Sequence, residues 1–465
     1  MTETARLARL VTKLERPTDV SALVAFRVAF GLVVAAGALR FVAQGWVARC
    51  YLEPTFAFKY WGFAWVKAWP PAGMYLHFAV VILLGLMVAA GLFYRVSAAL
   101  LFVAFTYLEL IDVTTYLNHY YLVSLFALLL AFMPLGRAGS LDVYRKPASR
   151  VDAFPGWCTA VLRFQIAAVY GYAGLTKLNA DWLLHGQPMQ LWLSARNDLP
   201  LLGPYLDRPW SALAISWAGF LFDLTIPVWL SLRRTRLGAY LVVVAFHGLV
   251  GRLFNIGMFP FIMASAALVF FSPSWPRNLL RRFRGRAAIT EWTFTRTAVP
   301  NPRRKLGYAA LGAFVVLQSA LPLRHFLYPG NVLWNEQGMR WAWKVLAREK
   351  NGSVSYLVTK PDGRRTIVEP TAILTDAQAR EMSGQPDLIL QLAHRIAKEF
   401  ALRGEGPVQV RAEARASLNG RRPKLLIDPN VDLAVIDDGI GVAHWITQAP
   451  TEPPIRLKSL AESSP

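Results

Sequence analysis

The chain has 465 residues, of which 55% are hydrophobic and only 17% charged, yet its formal net charge is +21. A soluble chain of this length would form about three domains with a larger charged fraction, so the composition excludes an ordinary globular protein and points to a membrane protein. The charge alone would suit nucleic acid, but the 50 Lys and Arg gather in loops between apolar runs, which excludes that partner, and two cysteines are too few for a disulfide-built scaffold.

Residues 1–19 form a cytoplasmic N-terminus carrying Arg6, Arg9, Lys13 and Arg16. The apolar run that follows is too long for the core of a cleaved signal peptide and lacks a small-x-small exit, so it reads as a signal anchor. A window of about 19 residues gives spans near 20–43, 73–93, 96–114, 118–136, 156–177, 211–232, 235–254, 256–273 and 305–323. The predicted fold class is an α-helical polytopic membrane bundle of about nine spans over residues 20–323. The connection at 252–257 is either a hairpin or a re-entrant turn. With the N-terminus in the cytoplasm, the inner loops hold 21 Lys and Arg and the outer loops six, and that asymmetry fixes the orientation.

Residues 324–449 change character. Strand-like 353–359 and 366–368 flank Lys360-Pro-Asp-Gly363, a hairpin signal. A helix-like run follows over 376–402, then strand-like 408–414 and 424–427 around Leu418-Asn-Gly420. These predict a β-rich α+β extramembrane domain on the outer side, followed by a disordered tail over 450–465.

Ionisable groups inside spans point most directly to function, because each must snorkel, pair or be chemically used. Lys177 stands at the outer end of the fifth span in Tyr170-Gly-Tyr-Ala-Gly-Leu-Thr-Lys-Leu-Asn-Ala-Asp-Trp182. An ammonium against an apolar wall is disfavoured relative to the neutral amine, which can then act as a base near pH 7. The depths of Arg163 and Asp223 predict a buried structural pair joining the fifth and sixth spans. Arg27 has no evident partner, and Glu109 and Asp112 are candidate partners for Arg40. His119, within Asn118-His119-Tyr120-Tyr121, and His247 share the outer half with Lys177, and His247 reads equally as a helix-to-helix hydrogen-bonding group. No spacing of His, Cys, Asp and Glu makes a metal site. Quinols reside at such bilayer edges, and deprotonating one gives an electron-rich anion able to react with oxygen. Lys177 as base, His119 with Asn118 as donors, and the tyrosines as walls would serve that chemistry.

Four motifs in series carry a family resemblance: Lys177-Leu-Asn-Ala-Asp-Trp182; Asn118-His119-x-Tyr121-Leu122; Leu253-Phe-x-Ile-Gly-Met-Phe-Pro260 followed by Phe271-Ser-Pro-x-Trp-Pro-Arg277; and Ile427-Asp-Pro-x-Val-Asp432. Together they resemble the vitamin K-dependent γ-glutamyl carboxylase family, including its bacterial members with an HTTM-type membrane domain. The resemblance implies a multi-pass protein of the bacterial inner membrane, with its C-terminal domain in the periplasm. It implies a reaction in which Lys177 deprotonates reduced vitamin K (phylloquinol or menaquinol), oxygen adds, and the quinone becomes its epoxide. The strongly basic alkoxide formed on the way removes a γ-proton from a glutamate of a peptide or protein, and carbon dioxide captures the carbanion. It further implies no metal, His119 as the second catalytic residue, and Asn118, Tyr172, His247, Met258 and Phe259 around the quinone. Asp181 and Trp182 would be structural residues flanking the base, and Trp334, Trp341 and Trp343 would lie on the glutamate side.

The chain also departs from the animal enzyme. In Met339-Arg-Trp-Ala-Trp343-Lys-Val-Leu346 neither that enzyme's tyrosine nor its paired methionines are present. Cys50 and Cys158 fall on opposite sides of the membrane, so they cannot form an outer disulfide. Three functions stay open at this point: a quinol-dependent glutamate carboxylase, a quinol oxygenase that carboxylates nothing, and a non-enzymatic bundle set in membrane lipid, in which Lys177 snorkels and the outer domain binds a partner.

Overall fold

The computed structural model describes residues 12–196, 198, 203–254, 256–284 and 304–455. Arg6 and Arg9, most of the basic loop before residue 304, and the tail beyond 455 lie outside the described residues. Backbone in lipid must satisfy its own N–H and C=O groups, so the apolar runs become helices. They are α1 (Ser21–Ala43), α2 (Pro71–Ala90), α3 (Tyr94–Ile111), α4 (Asn118–Phe132), α5 (Trp157–Thr176), α6 (Pro209–Ser231), α7 (Arg236–Leu253), α8 (Phe259–Ala267), α9 (Trp275–Arg284) and α10 (Arg304–Ala320).

The chain is a multi-pass membrane protein, but the predicted count of nine spans is not reproduced. Among the described residues six helices are long and apolar enough to cross a membrane, or seven if the segments of α8 and α9, bent by 93°, form one broken span. The 15 residues of α4 rise only about 22 Å, short of a hydrocarbon core of roughly 30 Å. Helix α5 is long enough, but Arg163 and Gln165 lower its hydropathy.

Close helix crossings are made at small residues. A Cβ on Gly31 of α1 would lie 2.4 Å from the carbonyl oxygen of Gly85 on α2. A Cβ on Gly174 of α5 would lie 2.9 Å from the backbone nitrogen of Leu224 on α6. Leu39, Leu83, Val103, Leu221 and Leu241 are exposed on the outside of the bundle, the surface that lipid covers. Trp61, Trp65, Trp69 and Trp210 are also exposed, as an interfacial aromatic belt requires.

The C-terminal region carries a four-stranded antiparallel sheet, built from β1 (Lys350–Thr359), β2 (Arg365–Val368), β3 (Gln409–Leu418) and β4 (Lys424–Leu425) in the order β2-β1-β3-β4. The hairpin read from the sequence is present, with Thr359 opposite Arg365 and Gly363 at φ 84°. Val410, Ala412, Ala414, Ala416 and Leu418 alternate inward along β3. The run predicted as one helix over 376–402 divides into α11 (Asp376–Met382) and α12 (Pro386–Leu402). Pro386 starts the second helix, and the residue before a proline is driven out of helical geometry, as Gln385 is at φ −123°. Cys50 and Cys158 are both free thiols.

Two polar contacts pin this domain to the bundle. Arg421 donates to both oxygens of Asp181 at 2.6 Å, joined by Asn419 Nδ2 at 2.9 Å. Gln378 Nε2 donates to Asp112 Oδ2 at 2.8 Å.

Candidate functional site

Lys177 caps α5 and is 5% exposed. Its Nζ donates to Asp223 Oδ2 at 2.8 Å, Ala173 O at 3.1 Å and Val345 O at 3.3 Å, so all three ammonium protons have acceptors. The ammonium also lies 5.2 Å from the centroid of the Trp182 ring, whose Nε1 is fixed on Ser216 O at 2.7 Å. The predicted Arg163–Asp223 pair is therefore replaced by a Lys177–Asp223 pair. Arg163 instead donates to the carbonyls of Val269, Phe270 and Phe271, at the C-terminal end of the segment begun by α8. The Gly174–Leu224 crossing explains the exchange. It sets Leu224 level with the last turn of α5, so Asp223 reaches the cap of that helix rather than its first turns.

Arg40 is answered by neither predicted acid. Its guanidinium lies 5.0 Å from the centroid of Trp46. Glu109 accepts a short hydrogen bond from Ser124 Oγ, while Asp112 accepts from Thr114 and Gln378. Arg27, fully buried, spends its protons on the carbonyls of Leu135, Ala138, Ala89 and Gly139.

Between α1, α2, α3, α4 and α8 lies a cavity of about 430 Å³, within the range of roughly 300–1,000 Å³ usual for small-molecule sites. Most of its wall is apolar, including Phe41, Phe78, Phe105 and Ile262. Its polar groups include Arg40, Glu109, Asn118 and His119. His119 packs against Tyr120 and Phe259, and among the described residues its ring nitrogens have no hydrogen-bond partner. Asn118 Oδ1 accepts from Tyr116 at 3.1 Å, leaving its amide hydrogens free. Gly257, at φ 60°, brings its backbone close to His119, since a Cβ there would lie 3.6 Å from Nε2. Dry walls with unspent donors at one place suit a flat apolar ring bearing oxygens.

The sequence-derived set is only partly gathered here. Asn118, His119, Met258 and Phe259 line the cavity together. His247 stands behind Phe259, with ring centroids 5.6 Å apart, and its Nε2 meets Tyr170 Oη at 2.8 Å, joining α7 to α5. Its Nδ1 is buried with no hydrogen-bond partner among the described residues. Tyr172 points away, its hydroxyl donating to Ser319 O at the end of α10. Asp181 binds Arg421 rather than Lys177. Lys177 does not line the cavity; Val345, which does, touches it.

Val345 belongs to a loop that also borders a second cavity. This groove of about 730 Å³ lies between the C-terminal domain and the 59–61 loop, and its wall includes Tyr60, Arg324, Arg340, Trp341, Asp387 and His444. Trp341 stacks on Tyr60 with centroids 5.5 Å apart and lies under Arg324. Two residues on, Trp343 is fully buried, stacked on Tyr121, with no partner for its indole N–H among the described residues. Trp334 is likewise buried and donates to Thr447 O, so it belongs to the domain core rather than the groove. Lys344 is buried with no acidic partner among the described residues, and burial pushes its amine down to about 8. Trp341, Trp343 and Leu346 all hold left-handed backbone, at φ 59°, 55° and 50°.

Sequence reasoning did not assign Asp223 to Lys177, place Glu109 in the cavity, or find the Val345 carbonyl. The first two carried the signal of intramembrane carboxylates, whereas a main-chain carbonyl leaves none.

Comparison with known families gives two matches. Residues 15–275 match the HTTM domain. Residues 303–452 match the family described as vitamin K-dependent gamma-carboxylase, lumenal domain. No solved structure matches.

Proposed function

The chain belongs to the vitamin K-dependent gamma-carboxylase family, and on that premise we propose that it carboxylates glutamate side chains of a peptide or protein, coupled to epoxidation of a reduced vitamin K by oxygen. Phylloquinol or menaquinol is the quinol, carbon dioxide the carbon source, and no metal takes part. The site of action is the bacterial cytoplasmic membrane, with the N-terminus inside and the domain after residue 323 in the periplasm, as the loop charges favour. The observation that carries the reading is the apolar cavity whose unspent donors, Asn118 and His119, share a wall with Val345, the residue touching Lys177.

The cavity fits the group in volume and in donor set. When bound, reduced vitamin K supplies with oxygen the strong base that removes a γ-proton of glutamate. Met258 and Phe259 provide apolar contact, and Asn118 Nδ2 and His119 donate to an oxygen that gains negative charge. Lys177 Nζ becomes a base by passing a proton to Asp223 Oδ2, 2.8 Å away, and then reaches the cavity by leaving the Val345 carbonyl. Trp182 keeps water from the amine. The groove beside Trp341, with Arg324 and Arg340, takes the glutamate-bearing segment.

The test is epoxide production from reduced vitamin K or menaquinol by purified wild type and Lys177→Ala. Wild type is expected to form epoxide and the variant, equally well folded, to form little. If wild type converts neither quinol, every enzymatic reading of the chain fails. A second reading, quinol oxygenation without carboxylation, is favoured by the burial of Trp334 and Trp343, which leaves Trp341 as the one of the three expected tryptophans that lines the groove. Incorporation of labelled bicarbonate into a glutamate peptide separates the two.

A further inference from the structure

A quinol carries two hydroxyl protons and its epoxide carries two carbonyls, so both protons must leave. Lys177 accounts for one. We propose, resting on the quinol reading above, that Glu109 accepts the other. The O–H bond of the second hydroxyl breaks, its proton passes to the Glu109 carboxylate to give the carboxylic acid, and the electron pair remains on the oxygen, which becomes a carbonyl as O2 oxidises the ring, one of its atoms entering the epoxide and the other leaving as water.

Three observations support this assignment. Glu109 lines the cavity from α3, as Asn118 and His119 line it from α4. Its carboxyl has a single hydrogen-bonding neighbour among the described residues, Ser124 Oγ, and no Lys or Arg forms an ion pair with it. A carboxylate offers about four acceptor sites, so most remain open toward the cavity. Unpaired carboxyl groups at membrane depth are costly and mark proton or ligand pathways. Arg40, the one guanidinium lining the cavity among the described residues, is held over Trp46 and is always protonated.

The groups facing Glu109 are well defined. Besides Ser124, which donates to it, the phenols of Tyr60, Tyr116, Tyr120 and Tyr121 feel its charge, and Arg40 and His119 line the same cavity. Tyr116 is committed to Asn118 and to the Trp341 N–H, and Tyr121 accepts from Gln318. Of the ring, the carboxylate is the strongest acceptor. His119, the remaining candidate, is left to stabilise the developing charge.

The test uses the full-length protein in nanodiscs, with Glu109→Gln, Glu109→Asp and Ser124→Ala. Glu109→Gln keeps size and hydrogen bonding but cannot take a proton. Its kcat for epoxide formation is expected to fall by roughly 100-fold, the lower end for a lost general base, with KM for menaquinol within about twofold and the acidic limb of the pH profile lost. Glu109→Asp should restore part of kcat, and Ser124→Ala should shift the acidic limb while leaving activity measurable. Infrared difference spectra on adding menaquinol should show a carboxyl band in wild type that Glu109→Gln lacks. Wild-type kcat and pH profile in Glu109→Gln, or an unchanged carboxyl band in that variant, overturns the proposal while leaving the quinol reading intact. A wild type that shows neither menaquinol binding nor epoxide overturns both.

Discussion

The Lys177–Asp223 pair should behave as one buried unit, and a double-mutant cycle tests that directly. At 2.8 Å, with both side chains under 10% exposed, the gross attraction at an effective dielectric of about 20 is roughly 6 kcal/mol. Desolvation offsets most of it, so the pair adds little net stability, while leaving either charge alone costs about 3–5 kcal/mol. Asp223→Asn strands the ammonium with two carbonyls for neighbours, and Lys177→Met strands the carboxylate without its cation. Each is expected to lose about 3 kcal/mol or more, and the double variant to recover at least about 2 kcal/mol of the sum. Reversible unfolding in mixed micelles reads all four proteins. Single losses that add to within about 0.5 kcal/mol in the double variant would mean that the two groups do not share a proton or a charge, and the proposed passage of a proton from Lys177 to Asp223 would go with it.

Three further outcomes follow from packing and charge. Gly174→Ala places a methyl 2.9 Å from backbone that cannot yield locally, so it should cost about 1–3 kcal/mol and depress epoxide formation by separating Lys177 from Asp223; unaltered stability would refute the crossing. Arg421→Ala removes both contacts to Asp181 and should speed hydrogen exchange around residues 419–421, with α5 unaffected. Burial lowers Lys344 to about 8 from the usual 10.5, so the unfolded chain holds more protons between those values and stability rises with pH across that window. Lys344→Met should therefore be more stable at pH 7 and show a flatter unfolding midpoint between pH 8 and 10; a midpoint that still rises would show that the amine is not the titrating group.

Much of the fold was legible because lipid makes strong demands. Every apolar run became a helix, and the turn at Asp362-Gly363 and the alternation in β3 were written in residue types. What failed was depth. Counting residues from a span's start placed Asp223 beside Arg163, because the count assumes that neighbouring helices enter at one level. The close approach at Gly174 slides α6 along α5, and that offset depends on a missing side chain rather than a present one. The same limit hid Val345. Its carbonyl serves Lys177 through backbone conformation, which side-chain chemistry does not encode. The resemblance put Tyr172 at the quinone and Asp181 beside Lys177, yet Tyr172, within α5, donates to Ser319, and Asp181, beyond the cap, binds Arg421.

The left-handed residues of the 341–346 loop bear on how the two cavities are connected. A non-glycine residue in that conformation costs on the order of 1–3 kcal/mol and persists only where its surroundings hold it. An extended segment would send residues 341, 343 and 345 to one face. Here Trp341 must enter the groove, Trp343 must pack on Tyr121, and Val345 must present its carbonyl to Lys177 while its side chain lines the bundle cavity. Left-handed turns at Trp341 and Trp343 break the alternation and make those three directions compatible within five residues. A loop that merely linked two domains would have no reason to hold this geometry. The strained backbone is therefore a physical argument for the proposal that the groove, the buried lysine and the membrane cavity work as one site.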